Sequence, residues 1–117
     1  MAYDAYLGER IRQIISTKNV PFYKKKMMGG LVFMVNNKMC CGTHIDKKFG
    51  DSLLMAKIGE VAYDEEIEKK ECLPMDFTGR PMKGYIFVTP DGFDLDQDLD
   101  YWVSKAVDYN KLLYQNT

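Results

Sequence analysis

Residues 31–45, LVFMVNNKMCCGTHI, carry the clearest strand pattern of the chain. Leu31 to Val35 is a continuous run of apolar, β-forming residues, which predicts a central, well-covered strand. Asn36-Asn37 follows, and because asparagine tolerates positive φ, this pair predicts a two-residue hairpin turn. Lys38 to Ile45 is then the returning strand. The stretch therefore predicts an antiparallel hairpin, around which the rest of the chain can be placed.

The segments on either side extend this hairpin into an antiparallel meander. Phe22 to Met27 precedes it and is separated from it by Gly29-Gly30, which breaks the strand pattern. A polar turn follows the hairpin, and Ser52 to Ile58 predicts a fourth strand. A fifth strand, Gly84 to Thr89, is closed by Thr89-Pro90-Asp91-Gly92, which suits a type I turn.

Helical periodicity marks three further segments. A short charged helix is expected from about Glu60 to Glu71, where Pro74 follows it, with Val61, Tyr63 and Ile67 as its apolar anchors. The first helix has an apolar stripe of Leu7, Ile11, Ile14 and Ile15. The stripe of the last helix comprises Leu99, Trp102, Val103, Ala106, Val107, Asn110 and Leu113. The prediction is one α+β domain over residues 1–117, with an antiparallel sheet of about five strands and three helices in two layers.

The composition is that of an ordinary folded domain of 117 residues, with 46% hydrophobic and 28% charged residues. The formal net charge of −1 lacks the basic excess of proteins that grip phosphates, so direct nucleic-acid binding is not expected. No apolar run approaches the roughly 18 residues of a membrane span, and the N-terminus does not have the pattern of a secretory signal. Three cysteines, an odd number, favour a reduced, cytoplasmic protein.

The cysteines and the single histidine do not form a convincing metal or catalytic site. Because adjacent strand residues point to opposite faces, Cys40 and Cys41 are not expected to share a metal. Cys40 and His44 share a face but lie roughly 13 Å apart along an extended strand. The acidic run at 94–100 lacks the glycine and glutamate of a calcium loop. We therefore expect no catalytic residue, no metal and no cofactor.

Basic residues flank two of the predicted loops. Lys25 and Lys26 precede Gly29-Gly30, while Arg80 and Lys83 lie in an irregular segment. If the two loops meet at one end of the sheet, they form a positive patch for a phosphate or an acidic partner. The competing interpretation is a solvated strand edge whose lysines discourage aggregation.

Two motifs resemble a known family. KKMMGG at residues 25–30 is similar to the KKMFGG signature of TfoX N-terminal domains, and MDFTGRPMKG at 75–84 resembles a second motif of that family. The resemblance implies a two-layer α+β fold similar to secretion-chaperone and YjbR-like domains. It also implies regulation of bacterial competence genes, in concert with the cyclic-AMP receptor protein. Named members carry a second, C-terminal domain, and we expect this chain to be a stand-alone N-terminal domain.

The leading hypothesis is a non-enzymatic binding module that acts in transcriptional regulation through a protein partner. The lysines and Arg80 would supply positive charge, and the glycines would allow the backbone to approach a partner closely. Asp76 would be an internal partner for Arg80. The structural alternative for the second motif is that Gly79 and Pro81 shape a turn and that residues 76–80 only brace it. The alternatives are a small-ligand protein or enzyme using the cleft near residues 75–84, and a self-associating domain such as a homodimer. The expected binding residues are Lys25, Lys26, Gly29, Gly30, Asp76, Gly79, Arg80 and Lys83.

Overall fold

The computed structural model describes residues 4–27, 30–45, 50, 52–74 and 83–115. The order of helices and strands along the chain is close to the one that the sequence predicts. In chain order they are α1 (Ala5–Ser16), β1 (Phe22–Met27), β2 (Gly30–Val35), β3 (Lys38–Ile45), β4 (Ser52–Lys57), α2 (Glu60–Glu66), β5 (Cys72–Pro74), β6 (Tyr85–Val88), a 3-10 turn (Pro90–Gly92) and α3 (Asp96–Gln115).

The strands form one antiparallel sheet in the order β1-β2-β3-β4-β6-β5, which confirms the α+β prediction. The sheet has six strands rather than about five, because residues 72–74 pair with β6. The second helix accordingly ends at Glu66, and its predicted extension to Glu71 is wrong. The burial of Cys72 explains why residues 72–74 form a strand, since Cys72 lies opposite Val88 and is buried beside β6. Burial against the sheet outweighs the local helical preference of this charged segment.

The central hairpin turns as predicted, and its returning strand contains a bulge. Asn36 and Asn37 have φ of 52° and 63°, as a tight hairpin turn requires. Phe33 pairs with Cys41 whereas Met34 pairs with Met39, so Cys40 is an extra residue in β3. The bulge interrupts the alternation of side chains, and Cys40 and Cys41 are both fully buried in the same core cluster. The expectation that they point to opposite faces is therefore wrong.

The main core lies between one face of the sheet and the helices. α1 contributes Leu7, Ile11 and Ile15 to it, and α3 contributes the predicted stripe from Leu99 to Val107. A second cluster, centred on Val32, Leu53, Met55 and Phe87, occupies the other face of the sheet. Within the described residues, no helix contributes a side chain to this second cluster. The helices therefore form a single layer on one face.

Polar contacts fix both long helices. Asp4 caps α1, because its side chain accepts a hydrogen bond from the Leu7 amide at 3.0 Å. Asn110 of α3 is buried and donates to the Val35 carbonyl at 2.8 Å, while its own oxygen accepts from Asn36 Nδ2 at 3.0 Å. None of the helices in the described part of the chain is long and apolar enough to cross a membrane.

Candidate functional site

The first group of predicted binding residues lies at one edge of the sheet. Lys25 and Lys26 are exposed on β1, which pairs only with β2 in the described structure. Gly30 begins β2 and is buried, and a Cβ there would lie 1.7 Å from the Thr43 carbonyl oxygen. That position therefore needs glycine so that β2 and β3 can approach. Gly29 lies outside the described residues.

Only the end of the second predicted loop is described. Asp76, Gly79 and Arg80 lie outside the described residues, so their predicted roles stay predictions. Lys83 is half-exposed, and its Nζ lies 3.7 Å from Asp64 Oδ2. Gly84, the next residue, has φ of 97° and accepts hydrogen bonds from the amides of Ile58 and Gly59. The end of the second motif is thus hydrogen-bonded to the two residues that precede α2.

The two motifs approach the sheet from opposite ends. Gly30 pairs with His44 at the end where β3 passes to β4, whereas Tyr85 pairs with Lys57 at the other end. Three strands also separate β1 from β6, which corresponds to roughly 19 Å across the sheet. The described ends of the two motifs therefore do not build the single basic patch that their charges suggested.

Lys83 instead lines a cleft of about 500 Å³ beside α2, here called the α2–α3 cleft. The walls come from the end of β4, the start of β6, α2 and the C-terminal part of α3. The lining residues are Lys57, Ile58, Gly59, Glu60, Val61, Ala62, Glu65, Lys83, Gly84, Tyr85, Tyr109 and Leu112.

A glycine allows α3 to close one side of this cleft. Gly59 has φ of 89°, and a Cβ at this position would lie 2.5 Å from Tyr109 Cε1. The ring of Tyr109 therefore packs directly on the backbone at the start of α2. Glycine is required here both for its positive φ and for this close approach. The contact brings the C-terminal part of α3 against α2.

The mouth of the α2–α3 cleft combines exposed apolar groups with charges of both signs. Val61 is 76% exposed and Leu112 is 56% exposed. The charged groups around them are Lys57, Glu60, Glu65 and Lys83. Lys57 Nζ lies 5.4 Å from the ring centre of Tyr85, a distance at which a cation is attracted to an aromatic face. Apolar groups within a polar rim are typical of protein interfaces.

The sequence pattern did not reveal these apolar groups as surface residues. Val61 was predicted to anchor α2 in the core, yet only Tyr63 and Ile67 of the three anchors pack there. Leu112 is the neighbour of Leu113, the last residue of the α3 stripe, but lies outside that stripe. The sequence nevertheless contained a signal of the exposure of Val61. This residue follows Glu60 at the very start of α2, where the chain has just left the sheet.

The surroundings of Cys41 and Cys72 favour the protonated form of these two thiols. The hydrogen bond with Cys40 and burial together raise the pKa of Cys41 well above its ordinary value. Burial, reinforced by the charges of Glu71 and Glu66, raises the pKa of Cys72 to about 11. All three cysteines are free and buried, and a protonated thiol is a poor nucleophile and metal ligand. Within the described ranges, no three His, Cys, Asp or Glu side chains are grouped to hold a metal ion.

A second cleft, of about 430 Å³, lies between α1 and the start of α3. Ion pairs of Arg10 with Asp96 at 3.1 Å and of Lys18 with Asp100 at 3.2 Å line it. Arg10 also donates to the carbonyl of Phe93 at 3.0 Å. Both cations already have partners within the chain, so the contacts around this cleft hold α1 and α3 together.

Comparison with known families agrees with the motifs. The family model described as the TfoX N-terminal domain matches residues 17–109, which is most of the chain. The match includes both motifs and all the strands. The comparison with curated proteins finds no match.

Proposed function

We propose that this chain, which belongs to the TfoX N-terminal domain family, is a protein-binding module whose partner docks in the α2–α3 cleft. The observation that carries the proposal is the pair of exposed apolar side chains, Val61 and Leu112, at the mouth of a charged cleft. The family is associated with competence regulation, and we infer that the bound partner is a protein of gene regulation.

The chemistry of the cleft favours a partner segment that inserts apolar side chains between charged flanks. Removing Val61 and Leu112 from water would give the contact its driving force. Lys57 and Lys83 on one part of the rim, and Glu60 and Glu65 on another, would orient a segment with complementary charges. Lys83 is already near Asp64, so its charge would favour specificity more than affinity.

A small apolar ligand is the second candidate. The volume of about 500 Å³ falls within the range of small-molecule sites, roughly 300–1,000 Å³. Val61, however, is 76% exposed, so a ligand held in the cleft would leave much of this side chain in water. For that reason a protein surface explains the arrangement better than an enclosed ligand does.

Affinity capture from the native cells tests the proposal with a matched pair of variants. Val61→Asp/Leu112→Asp places two charges at the mouth of the cleft, and Tyr6→Asp/Leu95→Asp does the same at exposed apolar sites elsewhere. We expect a specific protein to be captured by the wild type and by the second variant but not by the first, with equal melting temperatures. Capture that survives the first variant would contradict the proposal.

Anilinonaphthalene sulfonate, a fluorescent dye with apolar rings and one negative charge, separates the two candidates. If no protein is captured but the dye binds to the wild type and not to Val61→Asp/Leu112→Asp, the small-ligand function is correct. Dye binding that is the same for all three proteins would argue against a ligand site in this cleft.

A further inference from the structure

The outer edge of the sheet at β1 differs from the opposite edge at β5. β1 has six residues and contains no proline, whereas β5 has three and ends at Pro74. In the described structure, β1 pairs only with β2 and β5 only with β6. A short strand that ends at proline is a common protection against further pairing. β1 is therefore the edge that is long enough to accept another strand.

Hydrogen bonding across β1 and β2 shows which backbone groups face outward. The amide of Asn36 donates to the carbonyl of Pro21 at 3.3 Å, so this opposed pair is of the hydrogen-bonded type. Such pairs alternate along an antiparallel ladder, and Phe22 and Lys24 therefore direct their N–H and C=O groups away from β2. Each of these residues can exchange two hydrogen bonds with an added strand.

The side chains of β1 place positive charge on both faces of this edge. Lys24 is opposite Phe33 and Lys26 is opposite Leu31, both members of the helix-side core. Lys25 is opposite Val32, which belongs to the cluster on the other face. All three lysine side chains are exposed. A strand added along this edge would meet a lysine whichever face its own side chains occupy.

The charges also select the occupant. Two copies of β1 paired edge to edge would bring lysines against lysines, and like charges on neighbouring strands are destabilising. An extended segment with alternating acidic residues would instead bring carboxylates beside the lysines of the face that they share. We infer that β1 binds an extended acidic segment of another protein by strand addition, a mode in which main-chain hydrogen bonds give affinity and side chains give specificity. This surface is separate from the α2–α3 cleft and does not depend on it.

A designed peptide tests the inference on the whole chain. The probe is an eight-residue peptide of alternating Asp and Val, with capped ends, titrated at about 0.15 M salt, where distant charges are screened. We expect the amide resonances of residues 22–27 to shift most. The same peptide N-methylated on every backbone nitrogen keeps its charge but cannot pair as a strand, and we expect binding weaker by about tenfold or more.

Variants separate the edge from general electrostatics. Lys24→Glu/Lys25→Glu should abolish binding, while Lys70→Glu/Lys111→Glu, with the same net charge and equally exposed sites, should leave it unchanged. Equal binding of the N-methylated peptide, or shifts centred outside β1, would overturn the inference. So would a single-stranded oligothymidylate that binds these lysines when the peptide does not.

Discussion

Asn110 shows how one buried side chain joins the helix layer to the sheet. Its amide is almost completely buried and connects α3 to both the last residue of β2 and the hairpin turn. The sequence placed Asn110 in the apolar stripe of α3 without giving a reason for a polar residue there. The reason is the hairpin turn, whose carbonyl and side-chain amide need partners away from water.

Replacing Asn110 should therefore be costly. We expect Asn110→Ala to lower the free energy of unfolding by about 3 kcal/mol, because it leaves the Val35 carbonyl and the Asn36 amide without their partner. Urea denaturation measures this difference. Asp108→Ala, at an exposed site on the same helix, is the control and should change stability by less than about 0.5 kcal/mol. Equal effects of the two variants would contradict this role.

The raised pKa of Cys72 should make the stability of the fold depend on pH. Its pKa is about 11 in the folded protein, against 9.0 for an unperturbed thiol. The unfolded chain therefore loses this proton first, so the contribution of Cys72 is complete below about pH 9 and is lost as the pH rises toward 11. We expect Cys72→Ala to have a shallower loss of unfolding free energy across this interval than the wild type. Parallel pH profiles would contradict the assignment.

At the scale of elements, local chemistry was readable from the sequence and non-local pairing was not. The Asn36-Asn37 turn follows from the conformational tolerance of asparagine alone. Strand β5 has only three residues and exists because β6 lies beside it, which no local pattern encodes. The bulge at Cys40 is likewise fixed by the register between β2 and β3.

The hairpin turn offers a stabilising substitution. Asn37 has φ of 63°, a conformation that glycine adopts without strain. We expect Asn37→Gly to raise the free energy of unfolding by about 0.5 kcal/mol and Asn37→Ala to lower it by about 1 kcal/mol. Thermal or urea unfolding of the three proteins provides the test. If alanine were tolerated as well as glycine, the left-handed conformation would not be limiting.

The buried carboxylate of Glu66 joins the end of α2 to α3. The Glu66 carboxylate is buried, accepts from the Tyr101 hydroxyl at 3.0 Å, and lies 2.7 Å from Lys69 Nζ. The lysine contact is mainly electrostatic, because Glu66 Oε2 lacks a well-directed hydrogen bond. Lys69 also lies 5.0 Å from the ring centre of Tyr101 and 5.4 Å from that of Trp102. The hydrogen bond from Tyr101 to Glu66 and the contacts of Lys69 with the two aromatic rings thus hold the end of α2 against α3.

Removing Lys69 should leave the buried carboxylate uncompensated. Because Lys69 itself is partly exposed, the expected cost of Lys69→Ala is about 1–2 kcal/mol in unfolding free energy. The neighbouring Lys70→Ala serves as the control. The close contact with the Glu66 carboxylate raises the pKa of Lys69, so this contribution is present at neutral pH and lost as the pH rises through the folded value. A loss that is the same at neutral and strongly alkaline pH would contradict the ion-pair explanation.

For the whole molecule, the sequence predicted the fold class and the family far better than the site. Apolar strands, helical stripes and two long motifs are local features, and they fix an α+β domain of the TfoX N-terminal family. The α2–α3 cleft arises where β4, β6 and two helices meet, so its residues are distant in sequence. Of the predicted binding residues, Lys83 lines this cleft, whereas Lys25 and Lys26 belong to the β1 edge.

Photo-crosslinking from position 112 tests whether a partner protein docks in the α2–α3 cleft. Benzoylphenylalanine is introduced in place of Leu112 in one protein and in place of Leu95 in another, since both positions are exposed and apolar. After irradiation in the native cells, we expect a discrete heavier adduct with one protein from position 112 and none from position 95. An absence of adducts from position 112, or the same adducts from both positions, would contradict a partner docked in the α2–α3 cleft.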